Sequence, residues 1–172
     1  MIGINEQLLQ DLLERVSHRY YGKYRGTVTA VDAATLRLKA KVPSVLGGQE
    51  TGWCTACVPY AGKAVGIAFL PEEGSGVWIE FEGGVLSYPI WSGCYWRDGE
   101  QPTDATPAVK AIVTKSGHKI LLDDDAGTIT LTDAHNNKVT LSADGITLER
   151  GASKVALSDS EVNVNDGALE IT

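Results

Sequence analysis

Phenylalanine and methionine are scarce in this sequence: 2 Phe and 1 Met in 172 residues, beside 19 Gly. That balance speaks against a helical bundle and for a β protein with many turns. Long apolar runs are missing too. None approaches the ~20 residues that cross a bilayer, and MIGINEQLLQ has neither the basic start nor the apolar stretch of a secretory signal, so the chain is expected to be made in, and at first to stay in, the cytoplasm. Positive charge is in deficit, with 15 Lys+Arg against 22 Asp+Glu, a net −7 and an isoelectric point near 4.9. Phosphate backbones are bound through Lys and Arg, so nucleic acid is not expected as a partner. Three cysteines cannot all pair within one chain, and with no export signal either, a structural disulfide framework is not expected. At 18.3 kDa the chain has room for one ordinary domain or two small ones, not for a large multidomain enzyme.

What is present falls into four stretches: an N-terminal helix over 1–19, a barrel over 20–98, a linker over 99–110 and a repeat domain over 111–172. In the first, Ile4, Leu8, Leu9, Leu12, Leu13 and Val16 recur at helical spacing, with Asn5 as a candidate N-cap and Glu6 suited to the positive end of the helix dipole. A helix this short is marginal alone, so its leucine face needs a surface, its own domain or a partner. The second stretch reads as short strands at 26–31, 36–42, 52–58, 64–70, 76–82 and 88–95, with no second helix. Leu36, Leu38, Ala40 and Val42 alternate with Arg37, Lys39 and Lys41. Five or six strands in so short a stretch fit a small closed barrel, which removes exposed sheet edges. Residues 99–108 carry two prolines and no large apolar side chain.

Beyond the linker the pattern changes. Ile120/Leu122, Ile129/Leu131, Val139/Leu141, Ile146/Leu148, Val155/Leu157, Val162/Val164 and Leu169/Ile171 are seven apolar pairs, each split by one residue, with starts 9, 10, 7, 9, 7 and 7 apart. Each pair sets two side chains on one face of a short strand, and Asp-, Asn- and Gly-rich segments turn the chain between them. A one-chain solenoid of this length would make few coils and expose both ends of its core. Three chains about a common axis let each pair meet its two symmetry mates, so an obligate homotrimer is expected. A single-chain β-solenoid is the alternative.

Four segments carry a family resemblance: Tyr24-Arg-Gly-Thr-Val-Thr-Ala-Val-Asp32, Leu36-Arg-Leu-Lys-Ala-Lys-Val-Pro43, Leu70-Pro-Glu-Glu-Gly-Ser-Gly-Val-Trp-Ile-Glu-Phe-Glu-Gly-Gly84 and Tyr88-Pro-Ile-Trp-Ser-Gly-Cys-Tyr-Trp96. In order, they resemble the OB-fold domain of phage baseplate assembly protein V and VgrG-type spikes. Tyr88 stands where that family usually has Arg. The stretch Ile112-Val-Thr-Lys-Ser-Gly-His-Lys-Ile-Leu-Leu-Asp-Asp-Asp125 is similar to the start of the family's β-helix.

The resemblance implies an all-β chain: an N-terminal amphipathic helix, an OB-fold barrel, then a C-terminal intertwined triple-stranded β-helix in a homotrimer. It further implies the central spike of a contractile tail or injection apparatus, in the baseplate of a phage or phage-like particle, attached to a tail-tube hub protein and piercing the target membrane. The trimer core would be Ile120, Leu122, Ile129, Leu131, Val139, Leu141, Ile146, Leu148, Val155, Leu157, Val162 and Val164. Hub-binding candidates are Leu8, Leu9, Leu12 and Leu13. Some family members carry a lysozyme domain where this chain has only the linker, so no enzymatic activity is expected. Others end in a His-x-His iron site, whereas His18, His118 and His135 form no such pair. No cofactor or metal is expected, and a separate PAAR-like tip protein would seat on Leu169, Ile171 and Thr172.

Other features read as decoys. Cys54 and Cys57 have CxxC spacing, but on a strand i and i+3 face opposite sides. Asp123-Asp124-Asp125 reads as a solvated turn, and Ser116-Gly117-His118 lacks a nucleophile elbow. Tyr20, Tyr21, Lys23, Tyr24 and Arg25 cluster as a nucleic-acid groove might, yet residues 1–102 sum to −2 and 103–172 to −5. The competing function is an OB-fold adaptor with a single-chain β-solenoid tail, distinguished by being a monomer.

Overall fold

The structure, a computed structural model, describes residues 6–171. The proposed N-cap Asn5, Ile4 and the tip candidate Thr172 lie outside them. The chain divides into two compact units between Gly99 and Glu100.

The first unit opens with helix α1, Glu6–Ser17. Its barrel strands are β1 (Tyr24–Asp32), β2 (Arg37–Lys41), β3 (Thr55–Ala56), β6 (Gly76–Phe81) and β7 (Pro89–Tyr95). They form one curled sheet in the order β2-β1-β6-β7-β3, antiparallel except where β3 runs parallel to β7. The curl returns on itself: Cys54, just before β3, bridges Leu38 of β2, donating its backbone N–H to the Leu38 carbonyl at 2.7 Å, and Thr51 does the same to Ala40 at 2.9 Å. This is the five-stranded, partly open Greek-key barrel of an OB fold. Its core is Val28, Leu38, Ala40, Val42, Cys54, Val77, Ile79, Phe81 and Trp91. Gly76 starts β6 because a β carbon there would lie 2.7 Å from the Tyr95 carbonyl oxygen and 2.8 Å from its ring.

Three local expectations change. Leu36 leaves the alternation that buries Leu38, Ala40 and Val42: the Asp32 carboxylate accepts from the Ala34 N–H and the Thr35 hydroxyl, and the turn this closes puts Leu36 at φ 53° on the surface. A second helix does exist, the single turn α2 (Pro43–Leu46), with proline at its first position, where a missing N–H costs nothing. Finally, 52–58 and 64–70 are not full strands. Only β3 joins the barrel, while Ala61–Gly62 (β4) and Val65–Gly66 (β5) pair as a separate hairpin. Its Ala- and Gly-rich sequence offers no alternating apolar face to hold it in the wall.

The second unit is one antiparallel meander. Strands β8 (Val109–Val113), β9 (Lys119–Asp123), β10 (Thr128–Thr132), β11 (Lys138–Ser142), β12 (Gly145–Arg150), β13 (Ser153–Leu157), β14 (Val162–Val164) and β15 (Leu169–Ile171) each pair with their neighbours in sequence. The observed architecture is the expected all-β one. Each strand pairs with its neighbours in sequence, so the meander brings the same face of successive strands side by side.

Candidate assembly interfaces

Register decides what that face is. Ile120 and Leu122 stand opposite Leu131 and Ile129, which stand opposite Val139 and Leu141. Those meet Leu148 and Ile146, then Val155 and Leu157, then Val164 and Val162, then Leu169 and Ile171. All seven apolar pairs therefore fall on one face in direct cross-strand contact, two residues wide and seven strands deep. Nothing among the described residues buries it: Ile120, Leu122, Ile129, Leu131, Leu141, Ile146, Leu148 and Leu157 are each 36–46% exposed. A single-chain β-solenoid would have buried these side chains against its own next coil. A continuous apolar strip of this extent marks an association surface.

The opposite face is polar. Thr130, Thr140 and Thr147 form a ladder across β10, β11 and β12, flanked by the Lys138–Glu149 ion pair at 3.6 Å. Polar turns hold the strands in register. Asp133 Oδ1 accepts from the His135 and Asn137 N–H groups at 2.8 Å each, and Oδ2 accepts from the Asn137 amide at 2.6 Å. These bonds, led by the Asn137 side chain, pull the Asp133 pKa down to about 2. His118 Nδ1 accepts from the Ala134 N–H, tying this turn to the one at 114–118. At Gly145, φ is +125° and a β carbon would overlap the Leu157 carbonyl oxygen, so only glycine fits the start of β12. β15 closes the sheet order, leaving one edge without a strand partner among the described residues, with Leu169 and Ile171 exposed.

On the first unit, the α1 side chains Leu8, Leu9, Leu12 and Leu13 are all exposed. Their helix meets the barrel at a defined place: the Arg19 guanidinium donates to the Gly83 carbonyl at 2.9 Å, and the Tyr20 N–H donates to the Gly84 carbonyl at 2.9 Å. The chain leaves elsewhere, where the Arg97 guanidinium donates to the Gly74 carbonyl at 3.0 Å and the Thr27 hydroxyl at 2.9 Å. Residues 74 and 83 flank the two ends of β6. Helix and linker thus join the barrel at opposite ends of that strand, about 20 Å apart at ~3.3 Å per residue.

The remaining candidates assemble no reactive site. Cys54 is fully buried and Cys57 exposed; burial pushes the Cys54 thiol pKa up despite its hydrogen bond with Thr51. The Asp123 carboxylate accepts from the Asp125 and Ala126 N–H groups, and Asp124 pairs with Lys110. Tyr20 packs edge to face on Tyr24 and Phe81, whose own rings are tilted to each other, all at 5.9–6.5 Å between centroids; Lys23 binds Glu80 at 3.3 Å, and Arg25 lies over Trp78 and Tyr95. Among the described residues no three His, Cys, Asp or Glu side chains are grouped to hold a metal, and no helix is long and apolar enough to cross a membrane. Sequence reasoning missed the β4–β5 hairpin as a surface. Its signal was a run, 59–70, with Lys63 as the sole charge.

Comparison with known families divides the chain as the fold does. Residues 24–96 match the model described as the Type VI secretion system/phage-baseplate injector OB domain. Residues 110–170 match the phage baseplate V C-terminal trimerisation domain. No curated protein matches the sequence.

Proposed function

The chain belongs to the phage baseplate V family, and from that premise we propose that its homotrimer is the central spike of a contractile tail or related injection apparatus, seated on the tail-tube hub and driven through the target envelope. A structural baseplate role, not catalysis, comes with the family, and the trimer comes with its C-terminal domain. The observation that carries the finer reading is the apolar strip in register across seven strands. In this proposal three strips face one another about the axis, with Ile120, Leu122, Ile129, Leu131, Val139, Leu141, Ile146, Leu148, Val155, Leu157, Val162 and Val164 as the trimer core.

The mechanism is mechanical. Three chains wound about one axis and packed through one dry core make a narrow column that bends little under axial load. Sheath contraction supplies the push, and the small cross-section concentrates it on the membrane. The opposite attachment points of helix and linker favour this polarity: α1, with Leu8, Leu9, Leu12 and Leu13, joins the barrel at the end away from the linker, where a hub would be. At the far edge, β15 offers Leu169 and Ile171 to a PAAR-like tip protein, since exposed ends of repeat arrays need covering.

Potassium efflux from target cells tests the reading. Particles assembled with the wild-type chain should permeabilise cells on contraction, and particles lacking it should fail to assemble a baseplate or contract without efflux. Normal assembly and efflux without the protein would overturn it.

A further inference from the structure

The β4–β5 hairpin stops pairing for a reason that can be read in its register. Gly62 stands opposite Val65 and Ala61 opposite Gly66, and the Ile67 N–H donates to the Tyr60 carbonyl at 2.9 Å. Continued, that register sets Ala68 opposite Pro59 and Phe69 opposite Val58. Proline has no N–H to give to a ladder, and the Cys57 N–H beyond it is already committed to the Trp91 carbonyl at 2.9 Å, which ties this arm to β7. The other arm, 67–70, is left alone. Among the described residues, the backbone N–H and C=O groups of Ala68, Phe69 and Leu70 make no hydrogen bond, although the run Ile-Ala-Phe-Leu is apolar throughout.

Apolar surface accompanies the unpaired backbone. A groove of about 440 Å³ is lined by Val58 of the first arm, by Ile67, Phe69 and Leu70 of the second, and by Leu36 and Trp91 among others, with no charged side chain. Phe69 is 63% exposed and Ile67 43%. Trp91 is buried there, and its indole N–H has no hydrogen-bond partner among the described residues, so an acceptor is wanted as well. We infer that an extended segment of a partner protein adds as a strand along 68–70 and lays every second side chain, an apolar one, into the groove. A peptide is the chemistry that answers both features. Unpaired N–H and C=O groups in alternation are a template for another backbone, whereas an acyl chain would cover the apolar walls and leave those groups unpaired. A phosphate or a lipid headgroup would find no counter-charge among the lining residues.

Nothing in this depends on the trimer, the hub or puncture, and the test leaves them aside. Full-length protein is offered a random library of decapeptides, and the retained peptides are sequenced. They should be apolar at every second position, and adding one of them should slow backbone hydrogen exchange at 68–70 at least tenfold. Phe69→Asp, which puts a charge on the groove, should abolish retention. Ala68→Pro, which removes one backbone donor and no apolar surface, should weaken it at least tenfold. Both positions are exposed and outside the core, so both variants should keep the near-ultraviolet circular dichroism of the barrel. Retained peptides without the alternation, or exchange at 68–70 within twofold with and without peptide, would overturn the added strand, as would equal retention by Phe69→Asp. Binding of decanoate but of no peptide would make the groove an acyl-chain site and sink the proposal. So would exchange at 68–70 that is already slow in the trimer and quickens on dissociation by Leu148→Asp, since a neighbouring copy would then occupy the arm.

Discussion

Leu148→Asp is the sharpest perturbation of the proposed trimer core. Leu148 stands between Val139 and Val155 near the middle of the apolar strip and is 46% exposed in the single chain. Burying a leucine fully is worth ~1.5–3 kcal/mol, so covering the exposed half contributes ~1 kcal/mol per chain and ~3 kcal/mol per trimer. The introduced charge is the larger effect. Keeping an aspartate neutral at pH 7, from an ordinary pKa near 4, costs ~4 kcal/mol per chain and ~12 kcal/mol per trimer, and an ionised carboxylate in that core costs more. The sum of ~15 kcal/mol reaches the top of the ~5–15 kcal/mol range by which folded proteins are stable, so the trimer should be lost. Light scattering behind size exclusion reads this directly: wild type at three times 18.3 kDa, the variant at one. Leu148→Ala, which forgoes only the ~3 kcal/mol of burial, should remain trimeric and melt lower. The new carboxyl has its pKa raised in the trimer, so the penalty is present above that raised value and fades as pH falls toward 4, where trimer should reappear. Thr147→Asp is the control, on the other face between Thr140 and Ala156. A Leu148→Asp trimer with unchanged melting, or a Thr147→Asp variant equally damaged, would refute the assignment of faces.

Other expectations follow from single features. Deleting residues 1–17 should leave a folded trimer that fails to enter baseplates; unfolding of the truncated chain would show instead that α1 completes the barrel core. Removing residues 167–172 should abolish co-purification of a tip protein while light scattering still finds a trimer. Asp133 has its pKa lowered to about 2, so its turn adds stability that is complete above its unfolded value near 4 and disappears as pH falls from there toward 2. Acid titration of Asp133→Asn, followed by circular dichroism, should lack that component, and an identical titration would remove Asp133 from the account. Iodoacetamide at pH 8 should label exposed Cys57 in the native protein and spare buried Cys54 until denaturant is added; equal labelling rates would contradict the barrel core.

Legibility differed between the two units for a physical reason. The meander announces itself because each strand presents one pair of apolar side chains at period two, and the turns are made by Asp, Asn and Gly; from Ile120 to Ile171 the faces could be assigned residue by residue. In the barrel, β1, β2, β6 and β7 were readable from alternation. The closing strand was read too long, as 52–58, because Thr55–Ala56 and the Leu38–Cys54 bridge join the wall through backbone hydrogen bonds, which leave no side-chain period to mark its ends. Likewise, nothing in the Ala/Gly-rich run around 61–66 distinguishes a barrel strand from a hairpin lying off it. Leu36 was misplaced because the Asp32 cap, a local side-chain to backbone contact, overrode an otherwise regular pattern.

The meander also works as a ruler. Each strand advances the chain sideways by one ladder spacing, ~4.8 Å, so the seven steps from β8 to β15 lay down ~34 Å. Length is therefore quantised. Adding or removing one hairpin of two strands changes it by ~10 Å and returns the chain to the same direction with its apolar pair on the same face. A single-strand change would instead send everything beyond it back across the sheet reversed. A lineage that needs a longer or shorter reach can thus gain or lose paired strands of seven to ten residues each, while the three-fold packing of every remaining layer stays as it was.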